Sequence, residues 1–534
     1  MRGTTTGGLT AALLATAAVA TPQLYGAAGG DDDLTQFVSD LDLSSAVAQN
    51  VTATLKAAGN SSLTDVEKAS LACYVSSAAF GGEYLDASSA NYTDRVDVNW
   101  SEACWQESRC IIEPSSTKDV SRAIRIVGYL ESKFAVRSGG HNPNVGFASV
   151  DEHGVLIDMV NLNEITLNDD QSVVSVGPGN RFGAVYEKLN SSGLSIVGGR
   201  ITDVGVGGYM LGGGMAFFSS QYGMAADNIK SFEVVLANSS IVEANAESNS
   251  DLYWALKGGG PNFGVVTKFD VNTIPSADCW FEGRVYAPNQ TEKLFEAVIK
   301  YSAAAENDTS AGLVFNVSPD GTILGFVYGK PVEKPDVYSM FYDIPYTQNY
   351  INSTLGNTYE LALAFADVTD LSPARRQIVS IAHKYSLESY KESYATYLNL
   401  SSQVTSDFNG SLAYGVQPFT SAAVKQSQQR GGNPLNLTDV SQDWFTATIQ
   451  WEDAGDDEAA LNAIQALGES VRVTSEQHGA GLPLRFMNDA NLEQNVLGSY
   501  GAGNLARLRD ISEKYDPQQL FQTLQNNGYL LSKA

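Results

Sequence analysis

The sequence predicts an α+β protein made of two packed units, and three observations carry that expectation. A length of 534 residues exceeds what one small core organises, and a hydrophobic content of 43% is that of an ordinary globular chain. Across residues 106–280, short β-branched runs alternate with helical patterns and glycine clusters. Across 281–480 the glycine clusters thin out, and alternating strand patterns separated by helices read as an antiparallel sheet backed by helices.

Taken in order, residues 1–20 read as a secretory signal. Arg2 supplies the positive start, Leu9 to Val19 is apolar and alanine-rich, and Ala18-Val-Ala20 before Thr21-Pro22 fits a small-residue cleavage site. The run is shorter than the roughly 20 apolar residues of a membrane helix. Residues 21–105 form a lead-in whose helical periodicity covers Leu34 to Leu55 and Leu63 to Ala79, broken at Gly59-Asn60. Ser116 to Leu130 reads as a capped helix, Val155 to Met159, Ser172 to Val176 and Val234 to Leu236 as strands, and Arg181 to Leu189 as a helix. Further on, Glu282 to Tyr286, Gly312 to Val317, Thr322 to Tyr328 and Thr446 to Trp451 read as strands. Glu292 to Ala305 and Glu458 to Gln477 read as helices, and the polar stretch Gln426 to Asn436 as a mobile loop. Ile381-Ala-His383-Lys-Tyr385 has a helix-like pattern, which makes His383 a structural residue.

A net charge of −27 argues against nucleic-acid binding and against docking on anionic membrane. Thirteen Asn-x-Ser/Thr sequons, at Asn50, Asn60, Asn91, Asn99, Asn190, Asn238, Asn289, Asn307, Asn316, Asn352, Asn399, Asn409 and Asn436, predict N-linked glycans on an exported chain. Four cysteines in such a chain invite disulfides, with three pairings possible. No cysteine or histidine spacing predicts a metal site.

The chemistry centres on His141, one of four histidines. It closes Ala135-Val-Arg137-Ser138-Gly139-Gly140-His141-Asn142, a strand running into a glycine turn whose backbone can approach a pyrophosphate closely. Further glycine clusters lie at Val176-Gly-Pro-Gly179, at Val204 to Met215 and at Trp254 to Thr267. Gly205-Val-Gly207 opens like the dinucleotide fingerprint, but Met210 stands at its third glycine position, so a Rossmann site is discounted.

These segments, in this order, resemble the berberine-bridge-enzyme-like group of the vanillyl-alcohol-oxidase/PCMH flavoprotein superfamily, especially its secreted fungal members. The matching stretches are Cys110-Ile-Ile-Glu-Pro-Ser-Ser116, Arg137 to Asn142, Gly198 to Met215, Tyr222-Gly-Met-Ala-Ala-Asp-Asn228, Asp251 to Thr267, and the tail from Ser499 to Asn504 with Lys514-Tyr-Asp-Pro517. The resemblance implies a discontinuous PCMH-type FAD-binding domain, residues 106–280 and 481–534, with a substrate domain inserted at 281–480 and the flavin ring at their junction. It implies a Cys73–Cys110 disulfide, which leaves Cys104 and Cys279 to pair by elimination.

The resemblance also implies that FAD is bonded covalently through His141. Relatives with a second bond carry a cysteine three residues before the Val-Gly-Val-Gly-Gly motif. That position here is Ile201, which implies a mono-covalent flavin. The implied FAD contacts are Arg137, Ser138, Gly139, Gly140 and Asn142 in the pyrophosphate loop, Gly198, Gly205, Gly208, Gly212 and Gly213 in the second flavin segment, Val266, and Asn488. Where carbohydrate-oxidising relatives have a tyrosine base, this chain has Phe486, or Met487 if the register slips by one. Candidate bases are therefore Glu452, which shares a strand face with Gln450, and Asp489. The expected activity is a secreted FAD oxidase that dehydrogenates a small organic substrate, an alcohol, a phenolic or a secondary metabolite, and reduces O₂ to H₂O₂. The alternatives are a sugar or oligosaccharide oxidase, and a secreted flavin-binding protein without turnover.

Overall fold

The computed structural model describes residues 31–59, 62–276, 278–367 and 371–534. The expected signal segment and the Asn60 sequon lie outside the described residues. The lead-in opens on three helices, Asp31–Ser39, Ser45–Ala58 and Asp65–Phe80. The first two replace the single helix expected over Leu34 to Leu55. The chain turns between them through Asp42, whose φ of 54° is left-handed, a conformation that aspartate tolerates. The helix Asp65–Phe80 starts on a capping box in which the Thr64 side chain accepts from the Glu67 N–H and the Glu67 side chain accepts from the Thr64 N–H.

Three parallel strands, Cys110–Ile112, Gly154–Asp158 and Lys133–Arg137, form a sheet edged by the antiparallel pair Tyr84–Leu85. The helix Thr117–Tyr129 caps on Ser116, which accepts from the Asp119 N–H. It lays Val120, Ile124 and Val127 into a core shared with the lead-in helices. That core holds the Cys73–Cys110 disulfide implied above. Cys104 and Cys279 do not pair: both are buried free thiols. Cys104 lies against the carbonyl of Asn142, and Cys279 opens the first strand of the large sheet, so elimination failed because two elements each bury a thiol of their own.

A second sheet, antiparallel throughout, runs Ile165–Leu167, Val173–Val176, Val265–Asn272, Ile229–Val235, Ile241–Asn245. Its core takes in Leu508 and Ile511 of the C-terminal helix Ala502–Tyr515 together with Phe232, Phe263 and Phe269. The chain end returns to the first sheet: the Phe134 N–H donates to Leu524 O and the Asn526 N–H to Phe134 O.

The third sheet has eight antiparallel strands, in the order Gln348–Gly356, Cys279–Tyr286, Gly321–Tyr328, Ala311–Ser318, Ser411–Val416, Gln442–Trp451, Arg375–His383, with Pro418–Phe419 joined to Gln442–Trp451. Phe445, Ala447, Ile449 and Trp451 face the helix Asp457–Gln477, while alternation turns Trp444, Thr446, Thr448 and Gln450 to the opposite face. The edge strand Arg375–His383 is covered by the lead-in, where Ser101 bonds both the N–H and the carbonyl of Arg376.

Three local readings need correction. His383 ends a strand rather than sitting in a helix, because its run is buried against a neighbouring strand on one side and the helix layer on the other. Its structural role stands: Nε2 lies 3.4 Å from Asp443, which is buried and also accepts from Tyr390 and from the Gln417 N–H. The stretch Gln426 to Asn436 is partly helical, in Ser421–Gln429, and Leu435 is fully buried. Among the sequons, Asn99 is buried with its amide donating to Cys104 O, so the folded chain does not offer it to a glycosyltransferase.

Candidate active site

The turn after the strand Lys133–Arg137, the helix start at Val206, the strand Val265–Asn272 and the segments 486–489 and 525–529 enclose a cavity of about 380 Å³. That volume is ordinary for a small-molecule or cofactor site. The eight-stranded sheet contributes Ile378 to the wall and the lead-in contributes Trp100. Most of the lining is apolar, with Phe147, Met159, Ile201, Leu211, Met215 and Phe486 among it.

Of the residues singled out in the sequence, Ser138, Gly139, Gly140, His141, Asn142, Gly205, Gly208, Val266, Asn488 and Asp489 line this cavity. Gly139 and Gly205 make its tightest backbone crossing. A Cβ on Gly139 would lie 2.4 Å from the Gly205 Cα, so neither residue can carry a side chain without parting the two loops. Ser138 stitches the same crossing, accepting from the Gly207 N–H at 3.0 Å and donating to Pro178 O. Gly208 differs: a Cβ built there meets nothing within 4 Å.

Other expected contacts lie behind the wall. Arg137 turns away and is buried in an ion pair with Asp158 at 2.6 Å, because that carboxylate also takes Arg95 and needs both cations. Gly198 is small because Phe182 packs on it, Gly212 because the Asn488 amide does, and Gly213 because the chain turns there with φ 108°. Asn488 is itself a brace as well as a lining residue: its Oδ1 accepts from the Gly214 N–H and its Nδ2 donates to Tyr209 O.

Neither of the two candidates at the end of the large sheet lines the cavity. The strand ends at Trp451, Glu452 is exposed beyond it, and Gln450 is occupied by the Arg376 guanidinium at 3.2 Å. Asp489 does reach the cavity. Burial raises its carboxyl above the usual aspartate value, opposed by the Gln417 amide, which donates to its Oδ2 at 2.8 Å, and by the Arg200 charge. Gln417 is the hinge of this group, because its Oε1 accepts from Arg200 while its Nε2 serves Asp489 and Trp444 O. The sequence reading missed Trp100, Arg200 and Gln417. Arg200 could have been found as the neighbour of Ile201; Gln417 carries no local signal.

His141 is half-buried in the wall, and its buried Nε2 has no hydrogen-bond partner. Burial first, then the charges of Arg181 and Arg376, pushes its pKa down to about 4, so the imidazole is neutral near pH 7. The Trp100 ring stacks on it, with centroids 4.7 Å apart and planes 13° apart.

An FAD binding domain family matches residues 108–245. An FAD-dependent monooxygenase from Arthrobotrys oligospora is 36% identical over 465 residues, covering 87% of this chain and 90% of the relative. The chain belongs to the family of FAD-dependent oxidoreductases that includes this relative. A bifunctional solanapyrone synthase from Alternaria solani is 34% identical over 454 residues, covering 82% of this chain and 85% of the relative. Among solved structures, glucooligosaccharide oxidase from Acremonium strictum superposes with a TM-score of 0.70 at 18% identity, over 82% of this chain and 95% of that one. Its FAD is described as 6-S-cysteinyl, 8α-N1-histidyl, and at that identity the likeness speaks for the fold alone.

The residues present fit an FAD. An orphaned, buried, neutral imidazole nitrogen stands in the wall of a glycine-floored cavity, and Ile201, which offers no thiol, stands in that wall too.

Proposed function

We propose that this chain is a secreted oxidase, its FAD held by one covalent bond through His141, that dehydrogenates a small alcohol, phenolic or secondary metabolite and passes the electrons to dioxygen as H₂O₂. The observation that carries the reading is His141: a buried imidazole nitrogen without a partner is costly unless a ligand occupies it. The FAD, when bound, supplies the two-electron oxidant. The chain's own residues do the rest. Asp489, held by Gln417, is the half-buried carboxyl placed to take a proton from the substrate. Arg200 stands in the same wall and offers a cation to an oxygen of the substrate. The apolar lining and Phe486 favour an aromatic or otherwise apolar substrate over a sugar, whose hydroxyls each need a buried partner.

The division into 106–280 with 481–534 for the cofactor and 281–480 for the substrate belongs to the same proposal, as do export through residues 1–20 and glycans on exposed sequons such as Asn289, Asn352 and Asn409. The names of the curated relatives support a second reading, in which oxygen enters the product.

The test is direct. Wild-type protein precipitated with acid stays yellow and fluorescent, and His141→Ala releases its flavin. Oxygen consumption across alcohols, phenols and sugars is then followed together with peroxide and product mass. Peroxide equal to oxygen consumed, with a product two hydrogens lighter, supports the oxidase. A product heavier by one oxygen supports the monooxygenase reading. Flavin lost from wild type on precipitation refutes the covalent bond.

A further inference from the structure

Trp100 lies in the lead-in, outside the segments that carry the family resemblance, and yet it forms part of the cavity wall against His141. Three contacts fix it. Its backbone N–H donates to Gly140 O at 3.0 Å, within the glycine turn that ends in His141. Its carbonyl accepts from Arg376 Nη1 at 2.6 Å, from the edge strand of the large sheet. The Arg376 guanidinium carbon lies 5.0 Å from the centre of its ring. Ser101 adds two hydrogen bonds to the Arg376 backbone. The indole ring is thus clamped between the glycine turn of one sheet and the edge strand of another, and it presents a flat face to the imidazole. The indole Nε1–H is the second buried polar atom of this wall without a partner.

An imidazole held only by its backbone rotates about χ1 and χ2. Bond formation at a ring nitrogen needs one orientation, and a misplacement of about 1 Å costs on the order of a hundredfold in rate. The imidazole makes no side-chain hydrogen bond at Nε2 that could fix it. The stack on Trp100 does so instead.

We propose that Trp100 is the positioning residue for covalent flavin attachment, holding the His141 ring so that one of its nitrogens meets the flavin 8α carbon. The step rests on the covalent reading above. In it a bond forms between an imidazole nitrogen and C8α, one proton leaves the 8α methyl group and one leaves the imidazole. Two electrons pass into the isoalloxazine and from there, with two protons, to dioxygen, which becomes H₂O₂. Because Arg376 anchors Trp100, attachment follows docking of the large sheet on the lead-in.

The experiment compares full-length wild type, Trp100→Phe and Trp100→Leu, each produced with FAD. Total flavin is read from absorbance, and attached flavin from in-gel fluorescence and the mass of the intact chain. Trp100→Leu is expected to bind FAD in full but to attach it at least tenfold more slowly, releasing most of it in acid, while Trp100→Phe keeps a ring on the imidazole and attaches within threefold of wild type. Attachment in the leucine variant at the wild-type rate overturns the proposal. So does a phenylalanine variant as slow as the leucine one, which would assign the effect to the indole N–H. A leucine variant holding no flavin at all also overturns it, because Trp100 would then shape the cavity rather than aim His141. Acid-labile flavin in wild type would instead refute the covalent reading itself.

Discussion

Replacing Gly208 with alanine separates a glycine kept for a ligand from one kept for the fold. Gly208 lies inside the helix Val206–Leu211 and lines the cavity, and a methyl group there meets no protein atom within 4 Å. The empty protein therefore gains the helix-propensity difference of about 1 kcal/mol between alanine and glycine. For 534 residues, an unfolding entropy of about 2 cal/mol/K per residue converts this to roughly 1 °C in Tm. The same methyl occupies cavity space, and overpacking by one such group costs about 1–3 kcal/mol, or roughly five- to 150-fold in FAD affinity. Gly139→Ala is the control: its methyl would lie 2.4 Å from the Gly205 backbone, so it destabilises the protein with or without flavin. The assay is differential scanning fluorimetry on protein produced without flavin, paired with FAD titration. A Gly208→Ala variant that takes up FAD like wild type refutes the placement of cofactor against this helix, and one whose flavin-free Tm falls by several degrees refutes the claim that the site is sterically open.

Three further outcomes are expected. Asp489→Asn slows anaerobic flavin reduction by substrate on the order of a hundredfold in stopped flow; because burial raises the Asp489 pKa, the wild-type rate climbs with pH through a value above 3.8 as the carboxylate forms, and that climb is absent from the variant. Glu452→Gln leaves the reduction rate and the Tm within error, since an exposed side chain beyond the strand end contributes within about 0.5 kcal/mol; a hundredfold loss would return Glu452 to the site. Cys73→Ser opens a disulfide that spans 37 residues and lowers stability by about 4 kcal/mol in denaturant unfolding, and an unchanged midpoint would show that the surrounding helices fix the loop without it.

Much of the architecture was legible because it is written in local periodicity. The helices Thr291–Ala305 and Asp457–Gln477 and the strands Gly321–Tyr328 and Ala311–Ser318 match their patterns to within a residue or two. The strand Arg375–His383 was not legible. It is buried on both faces, so it lacks the alternation that marks a half-exposed strand, and a short apolar run of that kind reads equally well as helix. The 22-residue helix Leu387–Phe408 was missed for the opposite reason: apart from Val404, serines and tyrosines supply its buried positions, and they leave little contrast between its faces.

The site divides along the same line. The glycine loops and His141 are short-range signals, because a turn that admits a cofactor must carry its small residues consecutively in sequence. The carboxyl was harder to find. Glu452 was attractive because alternation aims it correctly, but alternation says which face a side chain takes and nothing about how far along the strand the cavity extends. Asp489 sits in a one-turn segment with no periodicity at all, and its claim to the site depends on Gln417 and Arg200, which are 72 residues behind it in one case and on another sheet's loop in the other. A proton-accepting carboxyl in a flavin cavity has to be buried, and a buried carboxyl has to be held by donors from elsewhere in the fold. The residue most able to act as base is for that reason the one whose credentials are non-local. The amide of Gln417 holds both Asp489 and Arg200, so the geometry of the substrate side is set where the large sheet meets the C-terminal segment, while Trp100, held by Arg376 of the same sheet, stacks on His141. Docking of that sheet thus completes both ends of the cavity, and neither end is assembled by the glycine loops alone.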